Sequence, residues 1–285
     1  MRPRHPLSTL APLIGLLAAG AVSPLPAALP VSGELRDLYY GVALFHARQD
    51  EHFEAIARLD AELALHYGLD QPELDSLTPH RAAAELRIGD LELAYRMNRR
   101  GGRAMERLLA DDVPRSTRDR AAWRLARLAF EKQEHDKALE AARSIDGAAN
   151  PELRRRAGLL RGQVLLAQER PARAADVLAD VEPGAAVRGY LPYNRAVALL
   201  RSEQREQGLE LLRRLGTDDA DGEAMAALRD KANLALGFAL LQAERPEAAQ
   251  ESLRRVRLEG PFSNKALLWF GWGDAARERY EEALV

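Results

Sequence analysis

The residues in this chain best suited to acid–base or metal chemistry are six histidines and a few clusters of acids. The histidines are His5, His46, His52, His66, His80 and His135. A helical metal site needs two imidazoles at i and i+4 on one face, and no pair here has that spacing. His46 and His52 stand six apart, close to Asp50, Glu51 and Glu54. A cation could be met there by chance, although a solvated hairpin turn accounts for the same residues. Thr217-Asp218-Asp219-Ala220-Asp221-Gly222 has the outline of a calcium loop. The closing bidentate Glu is replaced by Leu228, which removes two oxygens from any cation.

Covalent and phosphoryl chemistry find no support either. The sequence has no Gly-rich loop ending in Lys-Ser/Thr, no Gly-x-Ser-x-Gly and no His-Glu-x-x-His. Carboxylate pairs such as Glu244/Glu247 and Glu281/Glu282 lie among opposite charges, as solvated helical faces do. With no cysteine, disulfides, thiolate metal sites, cysteine nucleophiles and lipid attachment at an N-terminal Cys are excluded. No catalytic residue, cofactor or metal is assigned, and the reading is of a non-enzyme.

Bulk composition narrows the class further. The 285 residues are 47% hydrophobic but only 6% aromatic, with a net charge of −2. Ala and Leu dominate, which suits helices packed at short distance. Both signs of charge mix along every segment, so the basic field needed for nucleic acid is missing. Nearly all the positive charge is Arg; Lys132, Lys137, Lys231 and Lys265 are the only lysines. At the N-terminus, Arg2, Arg4 and His5 precede an uncharged apolar run, and Ala19-Gly20-Ala21 offers a cleavage site. That layout reads as a secretory signal over 1–21, followed by a Pro-rich linker over 22–33. The expected location is the periplasm; the alternative is an uncleaved inner-membrane anchor, the one membrane contact foreseen.

From Glu34 onward, apolar-periodic runs alternate with short breaks, and nothing shows the period-2 alternation of strands. Small residues recur after turn signals at Ala55, Ala94, Ala138, Ala174, Gly208, Ala249 and Ala283. The gaps are 39, 44, 36, 34, 41 and 34 residues, a period that means stacked helical hairpins. Glu169-Arg170-Pro171 and Glu244-Arg245-Pro246 each place a proline at the first turn of a second helix. Asn150-Pro151 is an N-capped start. Gly89-Asp90 and Gln133-Glu134-His135 read as further hairpin turns. Gly68–Leu77, Asp111–Thr117 and Asp218–Gly222 read as loops.

These features resemble the tetratricopeptide repeat (TPR) family. In that family a small residue on the first helix meets a small residue on the second, twelve positions on. Gly162/Ala174, Gly237/Ala249, Gly271/Ala283, Ala126/Ala138 and Ala196/Gly208 fit. Leu236-Gly237 matches the family's Leu-Gly pair, and Tyr280-Glu281-Glu282-Ala283 its aromatic-x-x-Ala start. The resemblance implies an all-α, right-handed superhelical solenoid of about seven antiparallel helix pairs. Residues 117–285 form the clear array, and 34–116 a divergent N-terminal part in which Gly41 is out of register and the helix from Thr78-Pro79 is short. The last pair stops one turn into its second helix, so a continuation beyond Val285 is expected.

By the same resemblance, the first helices line a concave groove. The groove-facing positions hold Tyr40, Arg48, Arg120, Trp123, Arg127, Phe130, Tyr190, Tyr193, Arg201, Lys231, Phe238, Lys265 and Trp272. Aromatic and Arg side chains are the usual anchors of protein interfaces. The family's carboxylate clamp needs Asn at the ninth position, where Val197, Phe238 and Trp272 stand. An apolar or mixed peptide, or a partner's helix, is therefore the expected occupant. The function expected is a protein-binding scaffold in envelope assembly or secretion. Rival readings are the helical arm of a larger envelope enzyme, lytic transglycosylase-like, with its catalytic domain beyond residue 285, and a subunit of an exopolysaccharide or pilus system.

Overall fold

The computed structural model describes residues 36–284 apart from 146, 149, 220 and 221. The expected signal segment and linker, with His5, lie outside these residues. The described chain is helical, without strands. Its helices are α1 (Leu38–Arg48), α2 (His52–Tyr67), α3 (Arg81–Ala94), α4 (Asn98–Ala110), α5 (Arg115–Glu131), α6 (His135–Arg143), α7 (Pro151–Ala167), α8 (Pro171–Ala179), α9 (Tyr190–Leu200), α10 (Arg205–Gly216), α11 (Glu223–Gln242), α12 (Pro246–Leu253) and α13 (Ser263–Ala276). A short 3-10 turn, Glu282–Leu284, packs on α13. No described helix is long and apolar enough to cross a membrane. The chain divides into two compact units, one ending at Leu160 and one beginning at Arg161, and the division falls within α7.

Consecutive helices pair as hairpins in both units: α1 with α2, α3 with α4 and α5 with α6, then α9 with α10 and α11 with α12. Short left-handed turns close all of these except α9–α10. Asp50, Arg96, Gln133, Glu169, Glu244 and Glu278 have φ between 56° and 61°. The N–H of the following residue reaches back to the last turn of the first helix, as in Met97 N to Glu92 O at 2.8 Å and Arg170 N to Leu165 O at 2.9 Å. This is the Schellman closure, here made without glycine. Pro171 and Pro246 open α8 and α12, and Asn150 Oδ1 accepts from Glu152 N at 2.9 Å at the start of α7.

The twelve-residue spacing extends into the part expected to be divergent. Ala43 and Ala55 are twelve apart and fully buried. Gly89 and Gly101 are also twelve apart, and a Cβ on Gly101 would lie 3.1 Å from Gly89 O. Two expectations are corrected here. Gly89-Asp90 is not a turn; both residues are buried within α3, whose 14 residues also make it longer than expected. Ala94 is the exposed last residue of that first helix, and Gly101 holds the second-helix position. Asp90 tolerates the helix interior because Arg124 meets its carboxylate at 2.6 Å.

At Gly162 and Gly237 the nearest neighbours lie one turn further on, while Ala174 and Ala249 are themselves fully buried. A Cβ on Gly162 would fall on Leu178, and one on Gly237 on Leu253, each four residues past the expected alanine. A Cβ on Gly208 would lie 2.8 Å from Ala196 O and one on Gly271 3.1 Å from Ala283 O, both on the expected partner. Helices come this close only where one side lacks a bulky side chain.

Candidate functional site

First helices of successive hairpins also touch: α3 packs on α5, α9 on α11, and α11 on α13. Most of the candidate side chains lie on first helices, and within each unit the first-helix face presents different chemistry.

In the N-terminal unit, Tyr40 is 4% exposed and its ring stacks on His80 at 5.2 Å. Burial pushes its hydroxyl pKa up, against the opposing charges of Arg87 and Arg120. Tyr40 is a packing residue rather than a surface anchor, because the 3-10 turn Thr78–His80 covers its ring. Trp123 is half-buried against Ala122, Ile145, Ala148, Leu153 and Ala157. Phe130 lies 6.3 Å from the His135 ring. Arg127 pairs with Glu131 at 3.5 Å, and Arg48 is exposed at the end of α1. Arg120 is half-buried; burial pulls its pKa down, and Arg124 and Arg87 add to the effect while Asp90 opposes it. His46 is engaged by Glu51 at 2.6 Å, and among the described residues no group of three His, Cys, Asp or Glu is placed to hold a metal.

The C-terminal unit is more apolar on this face. Tyr193 is buried, and burial pushes its hydroxyl to about 12. Lys231 Nζ sits 4.7 Å from the Tyr193 ring centroid, so this ring too is closed to a partner. The cation–π contact keeps the lysine half-buried, with its pKa lowered by burial. Arg201 is exposed and donates to Leu166 O at 3.3 Å. Phe238 meets Trp269 edge-to-face at 4.6 Å. Trp272 is 51% exposed, with Leu268 at 59% one turn earlier. Lys265 and Tyr190 are exposed as well.

The set expected to face a groove therefore splits by exposure. Tyr190, Trp272, Lys265, Arg201 and Arg48 are accessible; Tyr40 and Tyr193 are buried; Trp123, Phe130, Arg127, Arg120, Lys231 and Phe238 are half-buried packing residues. Sequence reasoning missed Leu268, although it stands three residues after Lys265 and so at the fifth position of its helix. It also missed Arg87 and Asp90, because reading Gly89-Asp90 as a turn removed them from a helical face, and Arg124, whose role appears only through its contact with Asp90.

No family model and no curated protein matches the chain. Among solved structures, a tetratricopeptide repeat protein from Parabacteroides merdae superposes with a TM-score of 0.60 at 13% identity, over 88% of this chain and 90% of that one. The pilF protein of Pseudomonas aeruginosa superposes with a TM-score of 0.51 at 15% identity, over 81% and 96%. At such identities the likeness is one of fold: these hairpins are arranged as in tetratricopeptide-repeat solenoids.

Proposed function

We propose that this chain is a non-catalytic scaffold that binds a partner protein, exported to the periplasm to serve envelope assembly or secretion. The observation that carries the binding reading is the ledge on α13. Trp272 and Leu268 project from one helical face, and the interlocked Phe238 and Trp269 lie behind it. A rigid aromatic anchor beside an aliphatic one loses little conformational entropy on docking. Such a ledge suits one or two apolar side chains of a peptide or amphipathic helix. The basic start and apolar run at the N-terminus support export.

Photo-crosslinking residues at Trp272, Leu268 and Tyr190, with Glu206 and Glu251 on second helices as controls, test the reading in cells. Adducts should form from the α13 positions and be recovered with the periplasmic fraction. Adducts from the control positions alone would overturn the docking surface, and a cytoplasmic distribution would overturn export.

A further inference from the structure

The N-terminal unit holds a group of arginines that its own acids do not neutralise. Asp90 on α3 and Arg124 on α5 are joined at 2.6 Å, and this pair pins the two helices side by side. Arg87 lies three residues before Asp90, and Arg120 four residues before Arg124. Residues so spaced share a helical face one turn away, so Arg87 and Arg120 face the same notch from the two helices. Tyr40 of α1 closes a third side, close enough for both guanidinium charges to bear on its hydroxyl.

The other carboxylates of α3 are engaged elsewhere. Glu85 meets Arg81 at 3.3 Å, and Glu92 meets Arg100 at 2.7 Å. Asp90 is the one carboxylate whose charge bears on Arg120. Of these three arginines, only Arg124 holds a carboxylate at ion-pair distance among the described residues; Arg87 and Arg120 hold none. Arg87 Nε is buried with no hydrogen-bond partner. Like charges held half-buried cost free energy unless a counter-charge arrives, and guanidinium forks match oxyanions in a bidentate way.

We propose that Arg87 and Arg120, braced by the Asp90–Arg124 pair, form a binding site for an oxyanion, either a carboxylate or a phosphate. The site belongs to the N-terminal unit, not to the unit that carries α13, and goes beyond the scaffold reading, because free phosphate would fill it without any partner protein.

Isothermal titration of the full chain at constant ionic strength tests it with two probes. One is inorganic phosphate; the other is a capped alternating Ala-Glu peptide, with its Ala-Gln counterpart as control. Saturable binding of either anionic probe is expected, at least tenfold weaker in R87Q/R120Q, with the Gln peptide inert. Phosphate alone binding would identify a free phosphate as the ligand; the Glu peptide binding would identify a carboxylate. The thermal midpoint of each variant in chloride reports its folding, and R120K, which keeps charge but loses the fork, stands in should the double variant not fold. No saturable binding of either probe by the wild type, or binding that R87Q/R120Q and R120K leave unchanged, overturns the site. Crosslinking at Trp272 reads the scaffold proposal separately, so one can fail while the other stands.

Discussion

The two units use the same hairpin spacing but are held by different chemistry. In the N-terminal unit, ion pairs join helices both within and between hairpins. Arg100 on α4 reaches Asp60 on α2 and Glu92 on α3, both at 2.7 Å, and Arg124 reaches Asp90. His66 and Asp75 meet at 2.8 Å under the first hairpin. In the C-terminal unit, glycines admit leucines at Gly162/Leu178 and Gly237/Leu253, and aromatic contact joins α11 to α13. An ionic tie is buried there too: Asp230 accepts from Arg257 Nε at 2.8 Å. The repeat fixes where helices must approach, while the means of holding them together varies. Where carboxylates are buried, stability becomes a function of pH; where leucines fill glycine notches, it does not.

The largest expected effect is that of Asp90→Ala. It strips Arg124 of its partner and leaves three arginines without a carboxylate, which should cost the N-terminal unit about 3 kcal/mol, read by urea unfolding. A loss below about 1 kcal/mol would break the contrast, since surface ion pairs are worth that little. The apolar counterpart is Phe238→Ala. It removes the ring that Trp269 packs against and should cost about 2 kcal/mol, below the roughly 3–5 kcal/mol of a fully buried ring because Phe238 is only half-buried. Its effect should not change between pH 5.5 and 8.

The pH contrast centres on Glu85, whose pKa burial pushes up to about 7, with the nearby Asp111 charge adding to it. The fold favours the protonated carboxyl. Its contribution is full below the ordinary value of 4.5 and is lost as pH rises through 7. Thermal melts should therefore show the N-terminal unit weakening between pH 5 and 8. E85Q should flatten that slope, and an unchanged slope would remove Glu85 as its cause.

The smallest effect concerns the left-handed turns. Glu169→Gly relieves a φ of 58° and should stabilise by up to about 1 kcal/mol, partly offset by the freer unfolded chain. Glu203 holds the equivalent place in the α9–α10 hairpin without a positive φ. There, Glu203→Gly should destabilise by a similar amount, so equal signs at the two positions would refute the turn assignment.

The hairpins after residue 117 were legible because their punctuation is local: Pro171, Pro246, Asn150 and the glycines at 162 and 237 act through their own backbone. The hairpin α3–α4 was misread because its helix contains turn-forming residues that distant partners make tolerable. Asp90 depends on Arg124, 34 residues on, and Gly89 on the approach of Gly101. Its true turn residue, Arg96, carries no turn signal of its own. On the candidate surface, Trp272 could be read from helical position alone. Tyr40 and Tyr193 could not, because His80 and Lys231 cover them from other elements. The arginine notch stayed hidden because its charge excess appears only when α3 and α5 lie together.

The account rests on first and second helices meeting at small residues twelve apart, and the hairpin whose register had to be corrected tests this most sharply. Unfolding free energies of Gly101→Leu and Ala94→Leu, measured in one buffer, compare a buried contact with an exposed helix end. Gly101→Leu should lose at least about 2 kcal/mol by overpacking against Leu93 and Gly89, while Ala94→Leu should stay within about 0.5 kcal/mol of the parent. Equal losses, or a larger loss at Ala94, would contradict it.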